Sequence, residues 1–354
     1  MNISKEIKMS VLFESIDLGN LKLANRIIMA PLTRARAGVE RIPNDLMATY
    51  YAQRATAGLI ITEATSVTPM GIGYANTPGI WSKEQVDGWK KITEAVHAKG
   101  GIIVMQLWHV GRISDPMFLD GQLPVAPSAI AASGHVSLVR PEKAYVVPRA
   151  LETSEIAGIV EPYRVGAENA KLAGFDGVEI HGANGYLLDQ FLQDSTNKRS
   201  DQYGGNIENR ARLALEVVDA VTTVWQPQRV GYHISPRMDS HTMGDSNPEA
   251  LFTYLASELG KRKLAFIFSR ETQGPGYLGD KIKEAFGGPY IINQGLDKAT
   301  AENLIKEGRA TAASWGMNFI SNPDMVRKLG ENIPLTPTNM ATIYANDESG
   351  YTDY

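Results

Sequence analysis

The sequence predicts an α/β protein: a single (β/α)8 TIM barrel with an extended excursion after strand 3. Three observations predict it. The chain has 354 residues, too many for one small sandwich or bundle and a fitting length for one large α/β barrel. No Ser/Gly-rich or Pro-rich linker divides it. A short apolar segment recurs along the chain with helical patterns between its copies.

The strand candidates, in order, are residues 25–30 (NRIIMA), 58–64 (GLIITEA), 101–109 (GIIVMQLWH) and 177–183 (GVEIHGA). They continue with 229–236 (RVGYHISP), 263–271 (KLAFIFSRE), 289–295 (PYIINQG) and 311–317 (TAASWGM). All are rich in Ile, Val and Leu without strict alternation, as strands buried on both faces should be. Residues 83–98 read as a helix. Ser82 and Gln85 make a capping-box arrangement at its start, and Gly100 closes it. Residues 156–172 end at Gly174, and 299–307 end at Gly308; 208–224 show the same periodicity. An open doubly wound sheet is the competing architecture. No GxGxxG follows the first strand, and eight units is the barrel's number.

Residues 111–149 contain Pro116, Pro124, Pro127, Pro141 and Pro148. The stretch is too long for an ordinary βα connection. It follows the third strand, so it belongs to the C-terminal face, where barrel enzymes build their sites. The expectation is an excursion that covers the site. Residues 1–8 are expected to be a tail ahead of Met9, in an otherwise single domain.

Composition narrows the function. With 35 Lys+Arg, 39 Asp+Glu and a net charge of −4, the chain lacks the basic balance of a general nucleic-acid binder. It has no Cys, which excludes disulfides, zinc–thiolate sites and thiol nucleophiles. Redox chemistry must then come from a bound cofactor. The longest apolar runs, such as 101–107, are far shorter than the ~20 residues that span a bilayer. The N-terminus has no apolar core before a small-residue cleavage site. The expectation is a cytoplasmic enzyme with no membrane or nucleic-acid partner.

The site should be built from the C-terminal ends of the strands. These ends are Pro31-Leu32-Thr33, Glu63-Ala64-Thr65, Gln106 to His109, His181 to Tyr186, His233, Arg270-Glu271, Asn293-Gln294 and Gly316-Met317. Three of them carry His, on adjacent strands. Converging imidazoles can bind zinc, but the first strand ends in MAPLT and lacks the HxH of metal-dependent barrel hydrolases. No metal is expected. His181 and Asn184 are the most informative pair. Just past a strand and three apart, they can aim two donors at one carbonyl or nitro oxygen. Tyr186 could then protonate the neighbouring carbon. The alternative is an ordinary turn in which Asn184 and Gly185 satisfy the backbone and Tyr186 packs. Spacing alone leaves both open.

The stretch HGANGYLLDQFLQDSTNKRSDQYGGNIENRARL (181–213) resembles the signature of the Old Yellow Enzyme family of FMN-dependent ene reductases. NRIIMAPLTR (25–34), YYAQRATAGLIITEAT (50–65), GYANTPGIW (73–81), QLWHVGR (106–112), PVAPSAI (124–130), ISNPDMV (320–326) and GYTDY (350–354) are similar too. The resemblance covers nearly the whole chain and is nearest to bacterial members that reduce enones, maleimides and nitro compounds. It implies one non-covalent FMN at the barrel mouth, reduced by NADPH or NADH. It implies reduction of the C=C bond of an electron-poor alkene or nitro compound, with hydride from FMN N5 to the β carbon. His181 and Asn184 would hold the substrate oxygen, and Tyr186 would protonate the α carbon. Pro31, Leu32, Thr33, Ala64, Gln106, His233, Asn293, Gln294, Gly295, Gly316 and Met317 fall at flavin-binding positions. Thr33 would bond flavin O4 and Gln106 the pyrimidine edge. Tyr74, Trp108 and Tyr351 match the substrate side. A monomer or homodimer is expected.

Two positions depart from that family's pattern. His233 stands where the fifth strand usually carries an Arg beside flavin N1/O2. Met317 stands where the eighth strand usually carries an Arg on the FMN phosphate. A thioether offers neither charge nor donor. Losing one charge-assisted hydrogen bond costs about 1.5–3 kcal/mol, roughly ten- to a hundredfold in affinity. Backbone N–H groups around Gln294, Gly295 and Gly316 remain to cradle a phosphate. His233 supplies charge only when protonated. Trp315 is expected to crowd the pocket. Two readings follow: an ene reductase with weak or re-tuned FMN binding, and a flavin-free protein with a ligand-binding or acid/base role on the same scaffold.

Overall fold

The computed structural model describes residues 10–354, so the tail expected at residues 1–8 lies outside the described residues. Eight parallel strands close on themselves: β1 (Ile27–Met29), β2 (Leu59–Ile61), β3 (Ile103–Trp108) and β4 (Gly177–His181), then β5 (Val230–Ile234), β6 (Phe266–Arg270), β7 (Tyr290–Asn293) and β8 (Ala312–Trp315). β8 pairs with β1 through Ser314 opposite Ile28, which shuts the barrel. Each expected strand segment contains one of these strands. Principal outer helices are α1 (Asp45–Gln53), α2 (Lys83–His97), α3 (Ala157–Leu172), α4 (Leu187–Leu192), α5 (Ile207–Thr222), α6 (Pro248–Lys261), α7 (Gly279–Phe286) and α8 (Lys298–Lys306). α2 starts with the capping box read from the sequence: Ser82 Oγ accepts from Gln85 N, and Gln85 Oε1 accepts from Ser82 N.

Side chains alternate across each strand. Ile28, Leu59, Ile61, Val104, Phe266, Phe268, Ile291 and Ala312 form one buried cluster inside the barrel. Met29, Ile60, Met105, Ile180, Ile267, Ile292, Ala313 and Trp315 belong to a second cluster beneath the helices. Gly231 makes room inside. A Cβ there would lie 2.2 Å from Phe266 Cζ, an overlap of the kind that costs about 1–3 kcal/mol. At the N-terminal end an antiparallel pair, Ile16–Leu18 with Leu21–Leu23, closes the barrel with Leu18, Leu21 and Leu23. The bottom is sealed, so the open end is the C-terminal mouth.

The excursion folds over that mouth. Val125–Ala126 pairs in parallel with Arg149–Ala150 at its root, and an antiparallel bridge joins His135 to Ala144 near its tip. Arg112 anchors it, donating to Ile130 O at 2.9 Å and to His241 O at 2.5 Å.

Candidate active site

Two cavities open at the mouth, of about 670 Å³ and about 450 Å³. They share Pro31, Leu32, Asn184, His233 and Arg270, and so form one cleft. Each lies in the size range of small-molecule sites. The strand period decides what faces it. Above the apolar interior, the inward positions nearest the mouth are Gln106, Glu179, His181, His233, Arg270, Asn293 and Ser314. A dry barrel therefore ends in a polar rim.

The turn after β4 carries the expected donors. Asn184 and Gly185 both have positive φ, at 59° and 77°, which Asn and Gly tolerate best. Ser235 Oγ accepts from Asn184 N at 2.7 Å, and Asp189 Oδ2 accepts from Gly185 N at 2.9 Å. The turn's backbone is thus satisfied, and His181, Asn184 and Tyr186 all line the smaller cavity. Tyr186 and Tyr74 share a hydrogen bond, Oη to Oη, of 2.8 Å. Burial, with Tyr74 beside it, pushes the Tyr186 phenol well above its ordinary value. Burial also lowers His181 to about 3, with the charge of Arg270 adding to the effect. Near neutral pH the wall presents a neutral imidazole and a protonated phenol.

Beneath it lies a buried polar cluster. Gln106 Nε2 donates to Glu179 Oε2 at 2.6 Å and stands 3.1 Å from His233 Nδ1. His233 stacks on His181 with ring centres 4.8 Å apart. Burial drives His233 well below its ordinary value and raises Glu179 to about 8. His233 is therefore neutral, and the charge that it would have to supply in place of Arg is missing. Buried His233 Nε2 and His181 Nδ1 have no partner among the described residues.

Thr33 and Ala64 line the smaller cavity beside Pro31 and Leu32. The Glu63 carboxylate holds that turn, accepting from Arg34 N at 3.0 Å and Ala35 N at 3.2 Å. Asn293, Gln294, Gly295, Gly316 and Met317 line the larger cavity. Asn293 Nδ2 is bonded to Ser314, which fixes β7 to β8. Gly295 (φ 67°) follows Gln294 (φ 85°). A Cβ on Gly316 would come within 3.1 Å of Leu32 Cδ1. Met317 is 38% exposed at the start of a short helix, α9 (Met317–Ser321). Trp315, expected to crowd the pocket, is among the residues that line the larger cavity. It follows inward Ser314, and its Nε1 donates to Leu296 O at 3.0 Å.

Three residues fall elsewhere. Trp108 is fully buried behind the cavity, edge-on to Tyr186 at 5.0 Å and tilted against Tyr74 at 5.4 Å. Tyr351, expected on the substrate side, is 0% exposed. It stacks on Tyr50 at 4.1 Å, with the Arg36 guanidinium 4.4 Å over its ring. The C-terminal segment puts Tyr344 into the cavity instead. His109 is buried, and its Nδ1 accepts from Gly111 N at 3.1 Å; it lines neither cavity. Sequence reasoning also missed His135, Ser137, Leu138 and Arg140 of the excursion and Phe268 of β6, and it placed Arg270 among the strand ends that build the site without giving it a role. The parity Phe266, Phe268, Arg270 was a signal for the last two.

Comparison with known proteins gives the family. Residues 11–336 match the model of the NADH:flavin oxidoreductase / NADH oxidase family. A putative 12-oxophytodienoate reductase 11 of Oryza sativa subsp. japonica is 43% identical over 355 residues, covering 95% of each chain. A probable flavin mononucleotide-dependent alkene reductase of Leishmania infantum is 42% identical, covering 97% of each. Among solved structures, morphinone reductase in complex with tetrahydroNAD superposes with a TM-score of 0.93 at 47% identity, covering 97% of this chain and 96% of that one. The old yellow enzyme homologue from Zymomonas mobilis gives 0.94 at 43%, covering 97% and 99%. With a family model spanning most of its length and relatives above 40% identity end to end, the chain belongs to the NADH:flavin oxidoreductase / NADH oxidase family, the Old Yellow Enzyme family of flavin-dependent reductases.

Proposed function

We propose that this protein is an NAD(P)H-dependent, FMN-containing reductase of electron-poor alkenes: α,β-unsaturated carbonyl and nitro compounds. One observation carries the reading. His181, Asn184 and Tyr186 line the same cavity, with the imidazole neutral and the phenol protonated.

The residues present fit FMN. The cleft is long, with the donor turn at one end and the glycines Gly295 and Gly316 at the other. His233 Nε2 is a buried polar atom without a partner among the described residues, as expected of a group that meets a ligand. In this reading Pro31, Leu32, Thr33, Ala64, Gln106 and His233 hold the ring. Asn293, Gln294, Gly295, Gly316 and Met317 line the phosphate end. When bound, FMN carries a hydride from NADPH or NADH to the β carbon of the alkene. The chain's own residues do the rest. His181 and Asn184 donate to the substrate oxygen and stabilise the negative charge that develops there. Tyr186 gives its proton to the α carbon, with Tyr74 bonded behind it. Tyr74 and Tyr344 line the substrate side. His135, Ser137, Leu138 and Arg140 roof it and keep water out.

Membership of a flavin-dependent family argues against the flavin-free reading. A cytoplasmic location goes with the proposal, supported by the Cys-free, mildly acidic composition, and a monomer or homodimer is proposed with it. Among the described residues no helix is long and apolar enough to cross a membrane. The test is to purify the protein with added FMN, reduce it anaerobically with NADPH or NADH, and add 2-cyclohexenone or N-ethylmaleimide. The expected result is co-eluting flavin absorption that bleaches and then returns. A protein that takes up no FMN would sink the proposal.

A further inference from the structure

Three charged residues line the cleft: Arg140, Arg270 and Asp297. Arg140 is exposed on the excursion, with its guanidinium on Val139 O at 2.8 Å. Asp297 is committed to capping α8, accepting from Thr300 N at 2.7 Å. Arg270 differs from both. It is the inward residue at the end of β6, after Phe266 and Phe268, and it lies across the mouth. Its Nε donates to Gln294 Oε1 at 2.7 Å, and its Nη1 approaches Asn184 Oδ1 at 3.2 Å and Met238 Sδ at 3.8 Å. Its partners are two amides and a thioether, not a carboxylate. It lines both cavities where they meet.

A half-buried cation held only by neutral groups is costly to keep. It makes sense where an anion is to be bound. The other titratable groups of the rim cannot supply the charge. His181 and His233 are both held neutral by burial, and the charge of Arg270 acts on each of them in that direction. Its contact with Asn184 and its place in the cavity that His181 and His233 line put the guanidinium at the donor-turn end of the cleft. Gln294 adopts a left-handed backbone (φ 85°), a conformation that a non-glycine residue holds only where its surroundings impose it, and its side chain is what fixes Nε of Arg270.

We infer that Arg270 is the fixed positive charge of the flavin site, placed at the ring end of FMN and acting on the negative charge that the pyrimidine edge of the ring acquires on reduction. This rests on the FMN reading above. The charge comes from β6, with β5 and β8 supplying none.

The test titrates wild type, Arg270→Gln and Arg270→Lys with FMN and with riboflavin, following flavin fluorescence, and measures the two-electron midpoint potential of each complex. The expected result for Arg270→Gln is weaker binding of both flavins by a similar factor, about ten- to a hundredfold, and a more negative potential. Arg270→Lys keeps the charge and should recover most of the potential. Unchanged affinity and potential in both variants would overturn the inference. So would weaker binding of FMN with riboflavin unaffected, which would move the guanidinium to the phosphate. A thermal melt of each variant separates loss of fold from loss of charge, and Arg270→Met, which also removes the charge, carries the test if Arg270→Gln does not fold. Wild type that binds neither flavin would overturn the FMN reading itself.

Discussion

Arg270 Nη1 lies 3.2 Å from Asn184 Oδ1, joining the end of β6 to the turn after β4. The guanidinium can only donate. The contact therefore takes up the oxygen of the amide and leaves its NH2 for the cleft. A side chain that must present a donor to a substrate oxygen is turned the right way before any substrate arrives. Preorganisation of this kind is what makes a donor useful in catalysis.

Asn184→Asp separates orientation from donation. The aspartate keeps an acceptor for Arg270 and loses the N–H. The expected outcome is a fall in kcat/KM for an enone of about 10²–10³ per flavin bound, the cost of one donor at a developing oxyanion. Steady-state kinetics beside the visible spectrum check it. Activity near wild type would show that the amide does not hold the substrate.

Tyr186→Phe removes the proton donor and leaves the ring in place. Reduction of the alkene should slow by about 10²–10⁴, the range for a positioned general acid. Bleaching by NADPH or NADH should keep its wild-type rate, and stopped-flow spectroscopy separates the two half-reactions. Because burial lifts the phenol well above its ordinary value, the wild-type alkene step should show no loss of the Tyr186 proton up to about pH 10, the ordinary phenol value. Tyr74→Phe removes the 2.8 Å partner and should have the smaller effect.

Much of this was legible in the sequence. Strands buried on both faces write continuous apolar runs, so all eight barrel strands stood out. Ser82 with Gln85, and Gly100, Gly174 and Gly308, marked helix ends through local chemistry. α6 carries an equally local start, Asn247 as cap and Pro248 behind it. The site was legible where it depends on strand ends. It was less so where distant segments meet. Parity points Arg270 inward, but only Gln294 and Asn184, on two other βα units, bend it across the mouth. The fate of Tyr351 depends on Arg34, Arg36, Tyr50 and Arg54, nearly the whole chain away.

That C-terminal clamp can be tested. Arg34 Nη2 donates to Gly350 O at 2.8 Å, and Arg36 Nη1 to Ile343 O at 2.8 Å. Tyr351→Phe should leave KM for an enone unchanged, since its hydroxyl is buried without a partner among the described residues. Tyr351→Ala should cost about 3–5 kcal/mol of stability, as for other large buried rings. Tyr344→Ala should instead raise KM, because Tyr344 lines the cavity. Thermal melts and steady-state kinetics on the three variants check the pattern. A KM change in Tyr351→Phe would return that ring to the substrate side.

Glu179 gives a stability prediction with a definite sign. Burial raises its folded-state value to about 8, far above the ordinary carboxyl near 4.5. Between those values the native protein holds a proton that the unfolded chain has released. Stability from this group is therefore fully present below about pH 4.5 and is lost as pH rises toward 8, at up to about 1.4 kcal/mol per pH unit. Glu179→Gln keeps an acceptor for Gln106 and cannot ionise. The variant should match wild type near pH 5 and melt higher than wild type at pH 8. His233→Arg should also flatten the slope by another route. A guanidinium within reach of Glu179, where His233 Nδ1 now stands 4.0 Å from its Oε2, would favour the carboxylate and pull its pKa down. Melting curves of the flavin-saturated proteins at pH 5 and pH 8 check both. Equal wild-type and Glu179→Gln differences at the two pH values would mean that Glu179 is already ionised at pH 5, and so that a cation other than His233 reaches it inside the barrel.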